Sequence, residues 1–188
     1  MYARSKGEAE RLVVAQDGGG LTTVIVRPRL IWGAGDSVHL PRFAAAVRDG
    51  SFRWIDGGRY LTSTCHVRNV CTGMILAAER GRGGEVYFLT DGPPLPYRQF
   101  VRDLLATQGL LPPENSMPGW VARARAGVGE LRWRLLRRDG APPLTNTAVR
   151  LLGTEVTVSD EKARGELGYD SPVDRQRGLE EMRASAPS

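Results

Sequence analysis

A helical face that opens near Tyr2 continues through Ala9, Leu12, Val13 and Gln16 until Gly18-Gly19-Gly20 stops it, so the chain begins in a helix. Leu21 to Val26 follows as a β-branched run with almost no polar alternation, the pattern of a strand buried on both faces of a parallel sheet. After Arg27 to Trp32, a Gly33-Ala34-Gly35-Asp36 turn precedes an amphipathic helix from about Leu40 to Arg48 and a short strand from Phe52 to Ile55. An Asp56-Gly57-Gly58 turn leads to a polar strand, Tyr60 to His66, and to a helix from about Val67 to Glu79 that ends at Gly81 to Gly84. Glu85 to Asp91 reads as a strand, and Pro96 opens a helix to about Thr107 whose apolar positions are Phe100, Leu104 and Leu105. Farther on, Trp120, Val121, Ala124, Val128, Leu131 and Leu135 recur at helical spacing among Arg123, Arg125, Arg132, Arg134, Arg137 and Arg138. This basic amphipathic helix is expected to pack its apolar side over the rest of the domain rather than on a membrane surface. Val156 to Val158 reads as a last short strand, Ser159 as the cap of a helix with Asp160 and Glu161 in its first turn, and Gly178 to Met182 as a closing helical turn. Helices alternating with buried strands predict an α/β fold.

Composition narrows the picture. With 188 residues, 41% hydrophobic and 25% charged, the chain is ordinary globular material with enough apolar side chains for a core. Two cysteines make no disulfide framework, and Cys65 and Cys71 read as small core residues. His66 reads as a structural histidine at a strand end and His39 is distant from it, so no metal site is expected. Asn69, at a helix start, is placed either to bridge backbone elements or to touch a ligand. No apolar run approaches the ~18 residues of a spanning helix, and Met1 to Ala15 has no signal-peptide pattern, so a cytoplasmic location is expected. The net charge of +5 comes from 24 Arg and 2 Lys spread from Arg4 to Arg183, without the basic block and stacking aromatics of a nucleic-acid module. No nucleic-acid partner is expected.

Chemistry enters at Tyr2-Ala3-Arg4-Ser5-Lys6. A Tyr and a Lys four residues apart share a helix face. An ammonium beside a phenol stabilises phenolate, moving its pKa from ~10 toward the range where it exchanges protons near neutrality. The pair is followed by Thr23-Val24-Ile25-Val26-Arg27-Pro28 and then Trp32-Gly33-Ala34-Gly35-Asp36. Together with Ser63 to Val70, Glu85 to Gly92, Pro142 to Thr145, and Ser159 to Ala163 followed by Glu166 to Tyr169, these segments resemble the extended short-chain dehydrogenase/reductase superfamily. Within it they are more similar to the 3β-hydroxysteroid dehydrogenase branch than to the sugar-nucleotide members of the NAD-dependent epimerase/dehydratase group.

The resemblance implies the C-terminal part of a doubly wound Rossmann-like parallel sheet plus a small, mainly helical substrate-binding subdomain. Residues 1–92 are then the dinucleotide-binding part, with a substrate-subdomain insertion at about 33–58, and 93–188 hold mainly the subdomain and the closing elements. It implies NAD or NADP as cofactor, Tyr2 as acid/base and Lys6 as its electrostatic partner and ribose contact. Arg27, Pro28, Arg29, Leu30 and Ile31 would pass the nicotinamide. The small-molecule substrate would be a hydrophobic secondary alcohol or ketone, with Trp32, Trp54, Trp120, Leu110 and Leu111 as an apolar wall. A homodimer is left open.

The same family begins with a glycine-rich turn that places the pyrophosphate at a helix N-terminus. Here Gly33/Gly35 leads to Val38 and Gly127/Gly129 to Arg132, and neither completes G-x-G-x-x-G. The family's catalytic Ser or Thr also precedes its tyrosine. The chain is therefore expected to be the C-terminal portion of a longer enzyme, with an exposed, aggregation-prone edge at its Leu21 to Val26 strand. Two alternatives stand beside this reading. One is a sugar-nucleotide epimerase or dehydratase using Arg42, Arg53 and Arg98 on a diphosphate; the other is a truncated, non-catalytic domain.

Overall fold

Thirteen residues, Tyr2–Val14, form the first helix, α1, and the chain then folds through short strands and seven more helices. In this computed structural model residues 2–136 and 145–185 are described. In chain order the remaining elements are β1 (Ile25–Pro28), β2 (Ile31–Trp32), α2 (His39–Arg48), β3 (Trp54–Ile55), β4 (Leu61–Thr62), β5 (Cys65–His66) and α3 (Val67–Arg80). They continue with β6 (Val86–Leu89), β7 (Leu95–Pro96), α4 (Tyr97–Ala106), β8 (Ser116–Met117), α5 (Gly119–Leu135), α6 (Asn146–Leu152), α7 (Glu161–Leu167) and α8 (Arg175–Ala184). The fold is α/β, as expected, with parallel strand pairs and a mostly helical second part. Two units divide it: Met1–Asp36, Ser63–Pro94 and Thr157–Ser188 in the first, Ser37–Thr62 and Leu95–Val156 in the second.

In the first unit β1 pairs in parallel with β6, Ile25 opposite Val86 and Pro28 opposite Leu89, and β2 pairs in parallel with β5. Parallel neighbours need a crossover, and the connection from β1 to β6 carries α3. One face of α3 packs into a core of Cys65, Val70, Ala77, Tyr87, Leu89, Ala163, Leu167 and Tyr169. Gly73 permits that approach, because a methyl group there would overlap the Leu89 side chain.

The first ladder is displaced from the uniform run Leu21 to Val26 to Ile25–Pro28. Asp17 accounts for the shift: its carboxylate accepts from both the backbone N (2.7 Å) and the hydroxyl (3.1 Å) of Thr23, drawing the chain into a local turn. Thr23 and Ile25 are buried, Val24 and Val26 half-buried and Leu21 exposed, so the run is not enclosed on both faces. The expected strand Tyr60 to His66 is likewise two short strands. Between them Ser63 Oγ accepts from the Val158 N–H (3.1 Å) and donates to its carbonyl (3.3 Å), which interrupts the ladder.

In the second unit β3 pairs in parallel with β8, and β4 antiparallel with β7. Tyr97, Phe100, Val101, Leu104 and Leu105 are buried along α4, beside an edge-to-face series Phe43, Phe52, Trp54 and Tyr97. Helix α5 reverses the expectation. Its buried residues are Ala122 and Ala126, packed with Val149 of α6, whereas Trp120, Val128, Leu131 and Leu135 are exposed. Small side chains let α5 approach α6 closely, and the Glu130 carboxylate accepts from Asn146 N (2.8 Å) and Nδ2 (3.0 Å) to fix the pair. Val156 makes only an isolated bridge to Thr62 instead of a strand. Arg137, Arg138 and Pro142 to Leu144 lie outside the described residues. Among those described, no helix is long and apolar enough to cross a membrane, and no cluster of His, Cys, Asp and Glu could hold a metal ion.

Candidate active site

Helical geometry sets Tyr2, Lys6 and Glu10 on successive turns of one α1 face, about 6 Å apart along the axis. Glu10 anchors that face to β1: its carboxylate is paired with the Arg27 guanidinium, Nε to Oε1 being 3.1 Å. The hydrogen bond holds the Glu10 carboxyl below its ordinary range and the Arg27 guanidinium above its own. Arg27 also lies over the Phe88 ring, 5.6 Å from its centre. Lys6 is exposed one turn from this pair, toward Tyr2. The Tyr2 side chain lies outside what is described.

At the carboxyl end of β1 the backbone bends through Arg29 and Leu30 before β2. Leu30 has φ +33°, a left-handed conformation that costs a non-glycine residue on the order of 1–3 kcal/mol. The neighbours hold it there. The Leu30 carbonyl accepts from Cys65 N (3.2 Å), Arg29 N donates to the Leu89 carbonyl (3.4 Å), and the Leu30 side chain is buried. Pro28 and Arg29 are half-buried, and Ile31 is exposed. No residue-type signal marks Leu30 in the sequence, because leucine has no preference for this region.

Asp91, just past the carboxyl end of β6, gathers the surrounding segments. Its Oδ2 accepts from Trp32 Nε1 (2.6 Å) and Thr64 Oγ1 (3.0 Å), and its Oδ1 from His66 N (2.6 Å) and Asn69 Nδ2 (2.8 Å). Asn69 in turn holds the backbone N and O of Val173, the bridging role among its two expected ones. The hub fixes the start of the Gly33 turn through Trp32, whose indole is edge-on to the His66 ring at 4.9 Å. The His66 ring is buried, and its Nδ1 accepts from Arg68 N, which assigns the neutral ring's proton to Nε2. Nε2 has no hydrogen-bond partner among the described residues, and burial lowers the His66 pKa against the attraction of Asp91. Gly33, at φ +136°, is required beside it: a Cβ there would sit 2.8 Å from Nε2. Burial and the nearby Asp91 charge push the Cys65 thiol up to about 12, an inert core thiol as expected. Cys71 is exposed, contrary to its reading as a core residue.

Of the three indoles expected in an apolar wall, Trp32 and Trp54 are each enclosed within their own unit. Trp32 is held by Asp91, and Trp54 donates from Nε1 to the Pro113 carbonyl (2.8 Å) under the Arg98 guanidinium. Trp120 and Leu111 are exposed and Leu110 is half-buried. Of the arginines considered for a diphosphate, Arg42 is exposed on α2, and Arg53 donates to the carbonyls of Gly50 (2.8 Å) and Phe52 (2.7 Å). Arg98 is paired with Glu114.

The model of the 3-beta hydroxysteroid dehydrogenase/isomerase family matches residues 1–118, which include α1, the Leu30 bend and the Asp91 hub. The chain belongs to this family. Among curated relatives of this family member, a 4-hydroxy-2-methyl-3-oxo-4-farnesyl-3,4-dihydroquinoline-1-oxide ketoreductase of Stigmatella aurantiaca is 54% identical over 187 residues, covering 100% of this chain and 56% of that protein. A 2-alkyl-3-oxoalkanoate reductase of Stenotrophomonas maltophilia is 36% identical, covering 98% of this chain and 58% of that protein. The chain thus spans a little over half the length of both. In fold it is similar to a dTDP-glucose 4,6-dehydratase from Streptomyces venezuelae solved with NAD bound, at a TM-score of 0.64 and 21% identity over 97% of this chain and 49% of that one. That likeness shows a shared α/β fold. Two features of this chain stand out near the carboxyl end of β1: a lysine exposed beside an anchored helix face, and a backbone bend held in a strained conformation.

Proposed function

We propose that the protein is an NAD(P)-dependent oxidoreductase interconverting a ketone and a secondary alcohol, with a hydrophobic substrate. The observation that carries this reading is the Tyr2–Lys6–Glu10 face, anchored through Arg27 at the carboxyl end of β1, where Leu30 is strained. In the reducing direction the Tyr2 hydroxyl donates its proton to the carbonyl oxygen, and in the oxidising direction the phenolate takes it back. The Lys6 ammonium, one turn away, favours the phenolate and holds the cofactor ribose. Bound nicotinamide supplies or accepts the hydride. Arg27, Pro28, Arg29, Leu30 and Ile31 would line its approach, in a bend held by the hydrogen bonds of Cys65 N and Leu89 O.

The apolar substrate class draws on the relatives, whose names describe reduction of a farnesylated oxo compound and of a 2-alkyl-3-oxoalkanoate. The sugar-nucleotide reading is less well supported, since Arg53 and Arg98 are already engaged by carbonyls and by Glu114. The test is consumption of NADH or NADPH by the longest protein its reading frame encodes, offered 3-oxo compounds with alkyl chains of increasing length and, separately, dTDP-glucose. Turnover that rises with chain length is expected. Turnover of the sugar nucleotide alone, or of neither, overturns the proposal.

A further inference from the structure

His66 stands where three segments of the first unit meet, the start of α3, the Gly33 turn and α8, and its ring atoms face each of them. Nδ1 accepts from Arg68 N (3.3 Å), so the imidazole is the side-chain cap of α3. Nε2 is turned to Gly33, where a Cβ would lie 2.8 Å from it, and Cδ2 to Gly178 of α8, where a Cβ would lie 3.0 Å from it. Trp32, opposite His66 in the register of β2 and β5, lies edge-on to the ring. Enclosed in this way and only 2% exposed, the ring has no room to rotate while both glycines keep their places.

The arrangement works with a neutral ring only. Protonation adds a hydrogen at Nδ1, which removes the acceptor that caps Arg68 N and sets a positive charge at the positive end of α3. Nε2–H, without a partner among the described residues, becomes a charged donor still facing Gly33. Burial holds the ring's pKa below the ordinary imidazole value; Asp91, beyond β6, and Glu181 on α8 favour protonation and Arg68 on α3 opposes it, while Trp32, Gly33 and Gly178 carry no charge. A charged ring has to reach water, and one of its two glycine neighbours must then yield. Helix α8 is the firmer: Gly178, Leu179 and Met182 are buried, Asp174 Oδ1 accepts from Arg177 N (2.8 Å), and Glu181 is paired with Arg68 (2.8 Å). The Gly33 turn is closed by Asp36 N on the Gly33 carbonyl at 3.2 Å, and its Ala34, Gly35 and Ser37 are exposed.

We propose that His66 is a proton-sensitive clasp: neutral, it holds the start of α3 and the Gly33–Asp36 turn in place, and on protonation it moves out past Gly33 and releases both together. The turn follows directly on the Arg27–Ile31 segment, so an open clasp would loosen the approach proposed for the nicotinamide. That consequence rests on the proposed reaction; the clasp itself does not.

The test is nuclear magnetic resonance of the full chain carrying His39→Gln, which leaves one imidazole of the two. In mild alkali the ring is expected to carry its proton on Nε2, with the Arg68 and Asp36 amides protected from hydrogen exchange. As the pH falls through the ring's own transition, both amides should lose protection by about tenfold or more with the midpoint of the ring. The Ile25 amide, which donates to the Glu85 carbonyl (2.9 Å) beside the β1–β6 ladder, should keep its protection. His66→Asn supplies a capping oxygen that does not titrate, and should keep the Arg68 amide protected through the same range. A ring that titrates while both amides stay protected overturns the proposal, as does a neutral ring with its proton on Nδ1, or equal loss of protection in His66→Asn. Loss at Ile25 in step with the other two would make the transition global unfolding and overturn it equally. No readout here uses turnover, so failure of the proposed reaction and failure of the clasp are separable.

Discussion

Helices α4 and α5 both carry large apolar residues at helical spacing and use them in opposite ways. On α4 the large apolar residues Phe100, Leu104 and Leu105 face inward and are fully buried; on α5 the large ones face outward and two alanines do the packing. Periodicity locates an apolar face but does not say whether the protein itself covers it. What separates the two is the partner. The inward side of α4 lies among α2 and the aromatic series around Trp54, which leaves room for bulky side chains. The partner of α5 is the short α6, whose approach is set by Val149 and by Asn146 on Glu130, and this geometry selects small residues.

Substitutions on the two helices should separate accordingly. Leu104→Ala, which empties a fully enclosed position on α4, should cost about 2–5 kcal/mol in urea unfolding. Ala126→Leu on α5 makes the helix more apolar and should nonetheless destabilise by about 1–3 kcal/mol, since the alanine is wholly buried against its neighbours. A neutral or stabilising result would mean that this face is not the packed one. Leu131→Ala, on the exposed stripe, should change stability by less than about 0.5 kcal/mol. A loss comparable to that of Leu104→Ala would break the contrast.

Enclosure of a polar residue gives a subtler effect, readable from pH. Burial places the native His66 pKa below its unfolded value of 6.5, so below that value the unfolded chain binds a proton that the folded ring resists. The contribution is complete above pH 6.5 and is lost as the pH falls from there toward the native pKa. Urea midpoints should therefore decline on mild acidification, less steeply in His66→Gln than in the wild type. An identical slope in both would exclude His66 as the source.

Several features were legible in the sequence because the residues that make them act locally. The limits of α2 and α3 fall within a residue of their periodic patterns, and Gly18 to Gly20, Gly33 and Gly81 to Gly84 punctuate the chain where glycines should. Features set by distant partners were not legible. Nothing about Thr23 announces that Asp17 will capture it, nothing about Ser63 that Val158 will, and Leu30 is strained by what Cys65 and Leu89 do to its flanks. Candidate chemistry followed the same division. The spacing of Tyr2 and Lys6 is intrinsic to one helix, whereas Trp32 and Trp54, chosen for size and hydrophobicity, turned inward because Asp91 and the Pro113 carbonyl take their indole N–H groups.

Whether the α1 face directs proton transfer at the carboxyl end of β1 can be read from the reduction kinetics of Tyr2→Phe, measured with NADH or NADPH and an apolar 3-oxo substrate in the longest protein the reading frame encodes. Loss of the proton donor should lower kcat by about 10²–10⁴-fold while nicotinamide binding, followed by fluorescence titration, changes little. A Tyr2→Phe protein that reduces the ketone at the wild-type rate would contradict the account and place the proton donor elsewhere.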